Sequence, residues 1–407
     1  MSARILIVAG GHLSRNPRPW KEAAALAGAG HDVTVLCVRD HAPSDALDRE
    51  LLAGARFRLE SIDLLGGQNH RGGSLVRRAR RWLARKSVER GGWQSAEALG
   101  PARDLLRRAR DFSADLTIVH TEAALWVGMR LLDEGRRVAA DIEDWHSEDL
   151  PPEDRAGRPL GLLRMVERTL LRRAAYLTTT SEALAAALVA RHGGNRPEVI
   201  TNSFPLQPEP RQGPPGAPPA LLWFSQTLGP GRGLEKFIGG WVRTAAPSRL
   251  VLIGGARGGY DDRLRRMLPP EKRGGIEIRP PVPPAELPGV IARHDVGLAL
   301  EDRSIASRNL TITNKMLQYL NAGLAVVASD TAGQREVLAR GPGAGVTISL
   351  DDPAGSAAAL DRLLRDAPAL AACQKAARRL AEDTYCWEKE EPRLLGLVER
   401  AMAGFRT

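Results

Sequence analysis

The chain has 407 residues, of which 43% are hydrophobic, and its formal net charge is +10. That length is too great for one ordinary core and fits two α/β domains of similar size. The charge invites a nucleic-acid-binding function, but the basic residues are spread along the chain and aromatic residues make up only 4%, so platforms for stacked bases are not expected.

Cysteine content and hydropathy indicate the cellular compartment in which the chain functions. Cys37, Cys373 and Cys386 show neither the spacing of metal ligands nor a disulfide framework, so we expect free thiols in a reducing cytoplasm. No apolar run approaches the length of a membrane span, and the first apolar segment has the length of a strand rather than of a signal peptide. We therefore expect a cytoplasmic protein that is soluble or bound peripherally to the inner face of the membrane.

The start of the chain predicts a βαβ unit. A continuous apolar strand at Arg4–Ala9 leads into Gly10, Gly11 and His12, where the first turn of a doubly wound sheet would lie, and a helix and a strand at Asp32–Cys37 follow. Glycine in this turn allows the backbone to approach a ligand. The turn lacks the spacing G-x-G-x-x-G, so a dinucleotide is only weakly indicated.

The most basic part of the chain contains a second distinctive pattern, in the segment Leu75–Lys86. Its helical apolar stripe is flanked by five arginines and a lysine, and it consists of Leu75, Val76, Ala79, Trp82 and Leu83. This pattern is typical of a helix that lies on anionic lipid. The alternative is a surface helix that packs its stripe on its own domain. A membrane contact here would favour a lipid-linked acceptor.

Two later strands are expected to end in polar side chains. One ends before His120 and Glu122, and the next leads into an acidic loop that contains Glu143, Asp144 and His146. Ligands of open α/β sheets bind at the carboxyl ends of strands, so these residues are candidates for an acceptor-binding site. A metal is not expected, because no pair among them has a recognised ligand spacing. His120 is either a catalytic group or a structural one.

Proline content marks the division of the chain. Residues 205–219 are too rich in proline for a helix or a central strand, so we predict a linker there. The linker would join a first domain at residues 1–204 to a second domain at residues 220–385. Residues 386–407 are predicted to form a terminal helix.

Two anion sites are predicted in the second domain. Gly231 and Arg232 lie in a glycine-rich turn before a helix, where backbone N–H groups and a fixed cation would meet an anion, although an ordinary tight turn shows the same pattern. Thr313, Asn314 and Lys315 open a short helix whose first turn lacks acids, and a phosphate is the natural ligand there. The alternative is a capped helix with a solvated lysine.

This short helix, which Gly323 is expected to end, should have two unlike sides. Met316, Leu317 and Leu320 share an apolar side that should pack in a core. The opposite side, which we expect to face a polar ligand, carries Asn314, Gln318 and Asn321.

The segment NKMLQYLNAGLAVV at residues 314–327 resembles the NK…EYLAAGLPVV segment of the nucleotide-sugar-dependent, retaining glycosyltransferases of family four, which have the GT-B fold. Ser181 and Glu182 after a strand, and GQRE at residues 333–336, are similar to further motifs of that family. The resemblance implies two doubly wound, Rossmann-like α/β domains facing each other across a cleft, with residues 386–407 returning to the first domain. It also implies transfer of a sugar from a nucleoside diphosphate to an acceptor hydroxyl, with retention of anomeric configuration and without a required metal.

The acceptor implied is a small molecule, a glycan or a lipid-linked compound of glycan or glycoconjugate biosynthesis, and no nucleic acid is implied as a partner. By position, the catalytic candidates are His120 and Arg232. The donor-binding candidates are Gly11, Gln226, Gly231, Arg232, Val282, Glu301, Thr313, Asn314, Lys315 and Gln318. The acceptor-side candidates are His12, Glu122, Glu143, Asp144 and His146.

Four positions depart from the family pattern. Gln226 stands where the family has an arginine that grips the diphosphate, and Glu143 stands where it has the histidine of D-x-H-[DE]. Leu310 and Gln318 stand where it has two glutamates. A neutral amide at Gln318 can still bond to ribose hydroxyls, but it lacks the strength of a charge-assisted bond.

Three other functions stay open on the sequence alone. A nucleotide-sugar epimerase on the same scaffold would turn over its donor without any acceptor. A noncatalytic subunit that keeps the fold would bind nucleoside diphosphates without hydrolysis or transfer. A nucleic-acid-binding protein would show steeply salt-dependent binding.

Overall fold

The computed structural model describes residues 2–65, 71–211, 215–216 and 218–403, and the side chains of residues 71–75 and 77 are outside that description. The described residues form two compact units. The first comprises those up to residue 180, residues 184–200 and those from residue 391 on, and the second comprises residues 181–183 and 201–390. Parts of the predicted linker, at 212–214 and 217, and of the predicted terminal helix, at 404–407, lie outside the described residues.

The first unit is built on a seven-stranded parallel sheet. In chain order the elements of this part of the chain are β1 (Arg4–Ala9), α1 (Pro17–Gly28), β2 (Asp32–Arg39), α2 (Ala42–Leu51), β3 (Arg58–Asp63), α3 (Arg71–Gly91), α4 (Ala102–Arg110), β4 (Leu116–His120), α5 (Thr121–Asp133), β5 (Val138–Ile142), α6 (Leu160–Arg173), β6 (Leu177–Thr179), α7 (Glu182–His192) and β7 (Glu198–Val199). The strand order is β3-β2-β1-β4-β5-β6-β7. The chain changes direction across the sheet between β1 and β4, and doubly wound sheets bind ligands at that switch point.

The sequence accounts for the first βαβ unit. The strand β1 is buried from Ile5 to Ala9, as expected for a parallel strand that is covered on both faces. The side chain of Asn16 accepts a hydrogen bond from the backbone N–H of Arg18, and Pro17 begins α1 without an N–H to satisfy. The predicted strand at the start of the chain and the helix after it are confirmed.

The second unit is built on a six-stranded parallel sheet. Its elements, with the terminal helix, are β8 (Ala220–Leu228), α8 (Leu234–Trp241), β9 (Arg249–Ala256), α9 (Tyr260–Arg266), β10 (Ile276–Arg279), α10 (Leu287–Ala292), β11 (Val296–Ala299), α11 (Ala306–Leu310), α12 (Asn314–Ala322), β12 (Ala325–Ser329), α13 (Ala332–Arg340), β13 (Gly345–Ile348), α14 (Pro353–Arg365), α15 (Ala367–Asp383) and α16 (Trp387–Ala403). The strand order is β10-β9-β8-β11-β12-β13, so the switch point lies between β8 and β11. Two Rossmann-like α/β domains, the predicted fold class, are therefore confirmed.

The helix α12 has the predicted ends and the predicted core face. The side chain of Thr313 accepts a hydrogen bond from the N–H of Met316, and Gly323 ends the helix in the left-handed conformation at φ 74°. The opposite side differs from our expectation at Asn321. That side chain is buried, and it bonds to the backbone of Pro205 and Gln207 instead of facing a ligand.

The structure of α3 contradicts one of the two alternatives for the segment Leu75–Lys86, the one in which the apolar stripe packs on its own domain. Ala84 and Val88 pack against Ala98, and these small residues hold the helix to the first unit. The predicted apolar stripe does not pack on the first unit. Its members with a described side chain are all exposed, namely Val76, Ala79, Trp82 and Leu83. The side chain of Leu75 is not among those described. None of the described helices combines the length and apolar character of a membrane span.

The terminal helix α16 contributes to the core of the first unit. From residue 391 on it belongs to that unit, where Val398 packs with Ile5 and Ile7 of β1. The three cysteines are buried and free, as predicted. Burial raises the pKa of the Cys37 thiol to about 12, which leaves it unreactive.

Candidate active site

A cavity of about 380 Å³ opens at the switch point of the first unit. The predicted site residues that line it are Gly11, His12, Glu122, Asp144 and His146. Among its other lining residues are Arg15, Asp40, Thr121 and Asp149. These predicted residues follow the carboxyl ends of β1, β4 and β5, which meet at one edge of the sheet. Five of the candidates therefore line one cavity.

Gly10 and Thr121 fix the two loops at this switch point. The N–H of Gly10 donates to Oγ1 of Thr121 at 2.9 Å, and a Cβ on residue 10 would lie 2.5 Å from the same oxygen. Thr121 has φ 68°, an unusual conformation for a β-branched residue. Such local strain persists only where the surrounding structure enforces it, and it occurs often at functional sites.

Charged groups on the cavity wall are joined by Arg158. Its guanidinium donates to Oε1 of Glu122 at 2.8 Å and to the carboxylate of Asp149 at 2.9 and 3.1 Å. The buried ring of His146 has Nδ1 3.8 Å from Glu122 and 3.9 Å from Asp149, and its Nε2 has no hydrogen-bond partner within the described chain. Burial alone would lower the pKa of His146, but these carboxylates raise it to about 9.

His12 is held in one orientation by both ring nitrogens. Nδ1 lies 2.7 Å from Oδ2 of Asp48, and Nε2 accepts hydrogen bonds from the backbone N–H groups of Asp40 and His41, each at 3.0 Å. Because Nε2 is an acceptor, the proton of a neutral ring lies on Nδ1. The His12 ring thus supports the wall of the cavity.

His120 is buried in a cluster of charges and is not among the residues that line the cavity. Its Nε2 lies 2.6 Å from Oε2 of Glu22, and its Nδ1 lies 3.1 Å from Oδ2 of Asp141. Burial alone would lower the pKa of His120, but Glu22 and Asp141 raise it to about 10. Arg18 binds the same Asp141 carboxylate through two nitrogens and holds its pKa well below the ordinary value, against the effect of burial. A catalytic role for His120 stays a prediction, as does the structural alternative.

Glu143 is likewise not among the residues that line the cavity. Its Oε1 accepts a hydrogen bond from Nδ2 of Asn16 at 2.5 Å. Burial and the nearby charge of Asp141 raise the pKa of Glu143. The geometry therefore gives Glu143 a local contact with the start of α1, and its acceptor-side role stays a prediction.

A metal could be considered at one place in the described structure, where ligand atoms of Glu122, His146 and Asp149 lie within 4.8 Å of one another. Two observations weigh against the fit. Arg158 already donates to both carboxylates, so a metal would compete with a fixed cation. Binding through His146 would also require loss of a proton from a ring whose pKa is raised.

In the second unit, Glu301 holds two of the predicted cations. Nη1 of Arg232 lies 3.5 Å and Nζ of Lys315 lies 3.6 Å from the same oxygen, Oε1 of Glu301. Glu301 is only 5% exposed. The second oxygen of its carboxylate, Oε2, has no hydrogen-bond partner among the described residues. Burial lowers the pKa of Lys315, although the charge of Glu301 opposes that effect.

The same site contains the start of α12 and the glycine-rich turn. Asn314 is exposed at the first position of α12, and its Oδ1 accepts a hydrogen bond from Asn202 at 2.9 Å. The carbonyl of Gly231 accepts a hydrogen bond from Arg308 at 2.5 Å, so a third cation lies at the turn. Thr313 is occupied in capping the helix.

The remaining donor candidates are not joined to this cluster by any contact that the structure records. Gln226 is exposed at an irregularity in β8, Gln318 is half-buried on α12, and Val282 packs partly on the core of the second unit. Their donor-binding roles stay predictions.

Several residues of these clusters were missed by sequence reasoning, among them Arg18 and Asp48. Arg158, Arg308 and Glu22 were not singled out, because arginines are common in this chain and Glu22 lies within an alanine-rich helix. The one available signal was the position of Glu22 on the apolar side of α1, where an acid needs a partner.

Comparison with known families assigns the class of protein. The family described as glycosyl transferase 4-like domain matches residues 18–203, and the family described as glycosyl transferases group 1 matches residues 219–366. Together these matches span most of the chain. The chain belongs to the group 1 glycosyltransferases of GT-B fold, and it is a transferase.

Solved structures of this fold resemble the whole chain at low sequence identity. Sucrose-phosphate synthase from Thermosynechococcus elongatus is 14% identical with a TM-score of 0.71, over 98% of this chain and 100% of that one. HepE from Anabaena, in complex with UDP and glucose, is 16% identical with a TM-score of 0.68, over 98% and 99%. The structure of trehalose-6-phosphate from E. coli bound with UDP-2-fluoro glucose is 14% identical with a TM-score of 0.61, over 97% of this chain and 99% of that one. No curated protein matches the chain by sequence.

Proposed function

We propose that the protein transfers a sugar from a nucleoside diphosphate to an acceptor hydroxyl, with retention of anomeric configuration. The observation that carries the proposal is the cluster of Arg232, Glu301 and Lys315, in which one buried carboxylate holds two cations. Two cations and one anion leave a net positive charge, and a diphosphate is the anion that such a site suits. The solved relative HepE binds UDP and glucose, which supports a nucleotide-sugar donor.

The cluster would act on the leaving group of the reaction. As the bond between the sugar carbon and the diphosphate oxygen breaks, the electron pair stays on the diphosphate. The acceptor oxygen forms the new bond to that sugar carbon, and its proton passes to the departing diphosphate oxygen. Arg232, Lys315 and the free N–H groups at the start of α12 would stabilise the charge that grows on the diphosphate.

The acceptor is proposed to bind in the cavity of the first unit, next to Glu122 and His146. Both are polar, and Nε2 of His146 is a buried nitrogen with no hydrogen-bond partner among the described residues. The acceptor is proposed as a small molecule, a glycan or a lipid-linked compound of bacterial glycan or glycoconjugate biosynthesis. The reaction is proposed to run in the cytoplasm and to need no metal, because Arg158 already donates to both carboxylates at the one ligand cluster among the described residues.

A panel of nucleotide sugars, each incubated with the protein and with candidate hydroxyl acceptors, tests this proposal. We expect one donor to raise the melting temperature and to release its nucleoside diphosphate only when an acceptor is present. Proton NMR of the product would give the anomeric configuration. Release of an altered sugar without acceptor would favour an epimerase, whereas a melting shift without turnover would favour a noncatalytic subunit. No melting shift with any donor would overturn the proposal.

A further inference from the structure

The exposed side of α3 carries an unusual concentration of large apolar side chains. Val76 is 58% exposed, Trp82 59%, Leu83 58%, and Trp93, just beyond the helix, 74%. We call these four residues the α3 apolar surface. The described chain has seven large hydrophobic side chains that are exposed, and four of them are in this group, so their clustering needs an explanation.

The α3 apolar surface is not a misplaced core face. The helix is already attached to its own unit by the opposite side, through Ala84 and Val88 against Ala98. On a helix, residues 76, 79 and 83 are spaced by three and four positions, so they line one side, and Trp82 lies beside them. The helix therefore has two apolar sides, one buried by its own unit and one open.

Exposed cations lie on the same helix as this open side. Arg78, Arg85 and Arg90 are exposed on α3. Arg78 donates to the carbonyl of Leu64 and Arg85 to the carbonyl of Ala98, both at 3.4 Å, so these bonds do not tie either guanidinium to a carboxylate. Lys86 has an acidic neighbour, Glu89, at 2.7 Å.

We propose that the α3 apolar surface and its exposed arginines bind the surface of an anionic lipid bilayer. Tryptophan rings belong at the boundary between headgroups and acyl chains, and aliphatic side chains such as Leu83 enter the acyl region. Arginines at the same depth attract anionic headgroups. The two kinds of side chain therefore match the two layers of one partner.

Other occupants match only part of this surface. A second copy of the chain that used the same surface would bring two sets of exposed arginines into one interface, and like charges repel. A nucleic acid would pair with the arginines, but the aliphatic side chains of Val76 and Leu83 would then stay exposed to water. The proposal is independent of the sugar-transfer site, because none of its residues belongs to either candidate cluster.

Sedimentation of the full chain with two kinds of vesicle tests the proposal. One kind is pure phosphatidylcholine, and the other is about half phosphatidylglycerol. We expect binding to the anionic vesicles only, and we expect it to weaken as salt is raised. The double variant Trp82→Ser/Leu83→Ser and the double variant Arg78→Gln/Arg85→Gln should each lose at least tenfold in affinity. Both change exposed side chains, and glutamine keeps an N–H donor for the carbonyls that Arg78 and Arg85 contact, so folding should be unaffected.

Met267→Ser, at an exposed apolar residue of the second unit, is the matched control and should bind like the unaltered chain. Equal binding to neutral and anionic vesicles, or unchanged binding of both double variants, would overturn the proposal. If Trp82→Ser/Leu83→Ser altered only the oligomeric state, or only binding to an oligonucleotide, the surface would serve another partner and the proposal would also fail. Donor-induced melting shifts should be the same in all variants, which separates this test from that of sugar transfer.

Discussion

Nε2 of His120 lies 2.6 Å from Oε2 of Glu22, and both side chains are buried in the first unit. On the other side of the ring, Nδ1 of His120 faces the carboxylate of Asp141, which also forms an ion pair with Arg18. Two cations and two anions thus form a closed cluster of no net charge. Such a cluster is costly to disturb, because removal of one member leaves a buried charge unpaired.

His120→Gln should therefore destabilise the first unit, by on the order of 3 kcal/mol near neutral pH. The pKa of His120 in the fold, about 10, is above that of the unfolded chain, so its contribution is complete below about pH 6.5 and is lost as the pH rises through about 10. Urea unfolding of the unaltered chain and the variant, from about pH 6 to about pH 10, should show a difference that shrinks with rising pH.

The exposed His41, which caps α2, offers a matched control. His41→Asn keeps a capping side chain and should leave the pH dependence in place. If His120→Gln unfolded like the unaltered chain but lost turnover, the histidine would be catalytic, and its structural role in the charge cluster would be wrong.

Lys315 should make donor binding depend on pH. Burial lowers its pKa, so the affinity for a nucleoside diphosphate should fall with rising pH as the ammonium loses its proton, and it should do so below the pH at which an ordinary lysine titrates, about 10.4. Lys315→Arg should remove this fall, because a guanidinium stays protonated. Glu301→Gln should move the fall to lower pH, because the carboxylate that opposes the effect of burial is gone. Titration calorimetry would measure the affinities, and equal slopes in all three proteins would contradict this assignment.

Gly297 of β11 lies under the ring of Tyr319. A Cβ at residue 297 would lie 2.1 Å from that ring, which is buried and tied by its hydroxyl to the carbonyl of Leu222. Gly297→Ala should therefore destabilise the second unit by about 2 kcal/mol. Gly239→Ala, inside α8, is the control: its Cβ meets nothing within 4 Å, so it should stabilise the unit by roughly 0.5–1 kcal/mol. Thermal unfolding would compare the two, and equal effects would contradict the close packing of Gly297 against Tyr319.

Chelation should leave transfer unchanged. Arg158 donates to both Glu122 and Asp149, so the acidic cluster has its counter-charge within the chain. Turnover measured before and after treatment with EDTA, and again after addition of Mg²⁺ or Mn²⁺, would check this. Loss of turnover on chelation with recovery on addition of a metal would show that the cluster binds a metal after all.

The fold could be predicted well from local patterns. The strand Arg4–Ala9 is a continuous apolar run because both faces of a parallel sheet are covered, and α12 is framed by the cap at Thr313 and the glycine at 323. The positions of the binding loops followed from the same pattern, since polar residues after β1, β4 and β5 meet at one end of the sheet.

The direction of individual side chains could not be predicted in this way. His120 points to Glu22, which is 98 residues away in the chain, and sequence spacing carries no information about such a contact. In α3, periodicity identified the apolar stripe but not the side that would pack. The side that packs carries Ala84 and Val88, because small side chains allow the helix to lie close to Ala98.

The sharpest test of the proposed diphosphate site is titration calorimetry of UDP and other nucleoside diphosphates into the unaltered chain and into Arg232→Ala. Arg335→Ala, which removes an exposed arginine paired with Asp330 in the same unit, is the matched control. We predict that one diphosphate binds the unaltered chain and Arg335→Ala alike, and that it binds Arg232→Ala at least about tenfold more weakly. Equal affinity for Arg232→Ala, or no binding of any diphosphate to the unaltered chain, would contradict the assignment of this site.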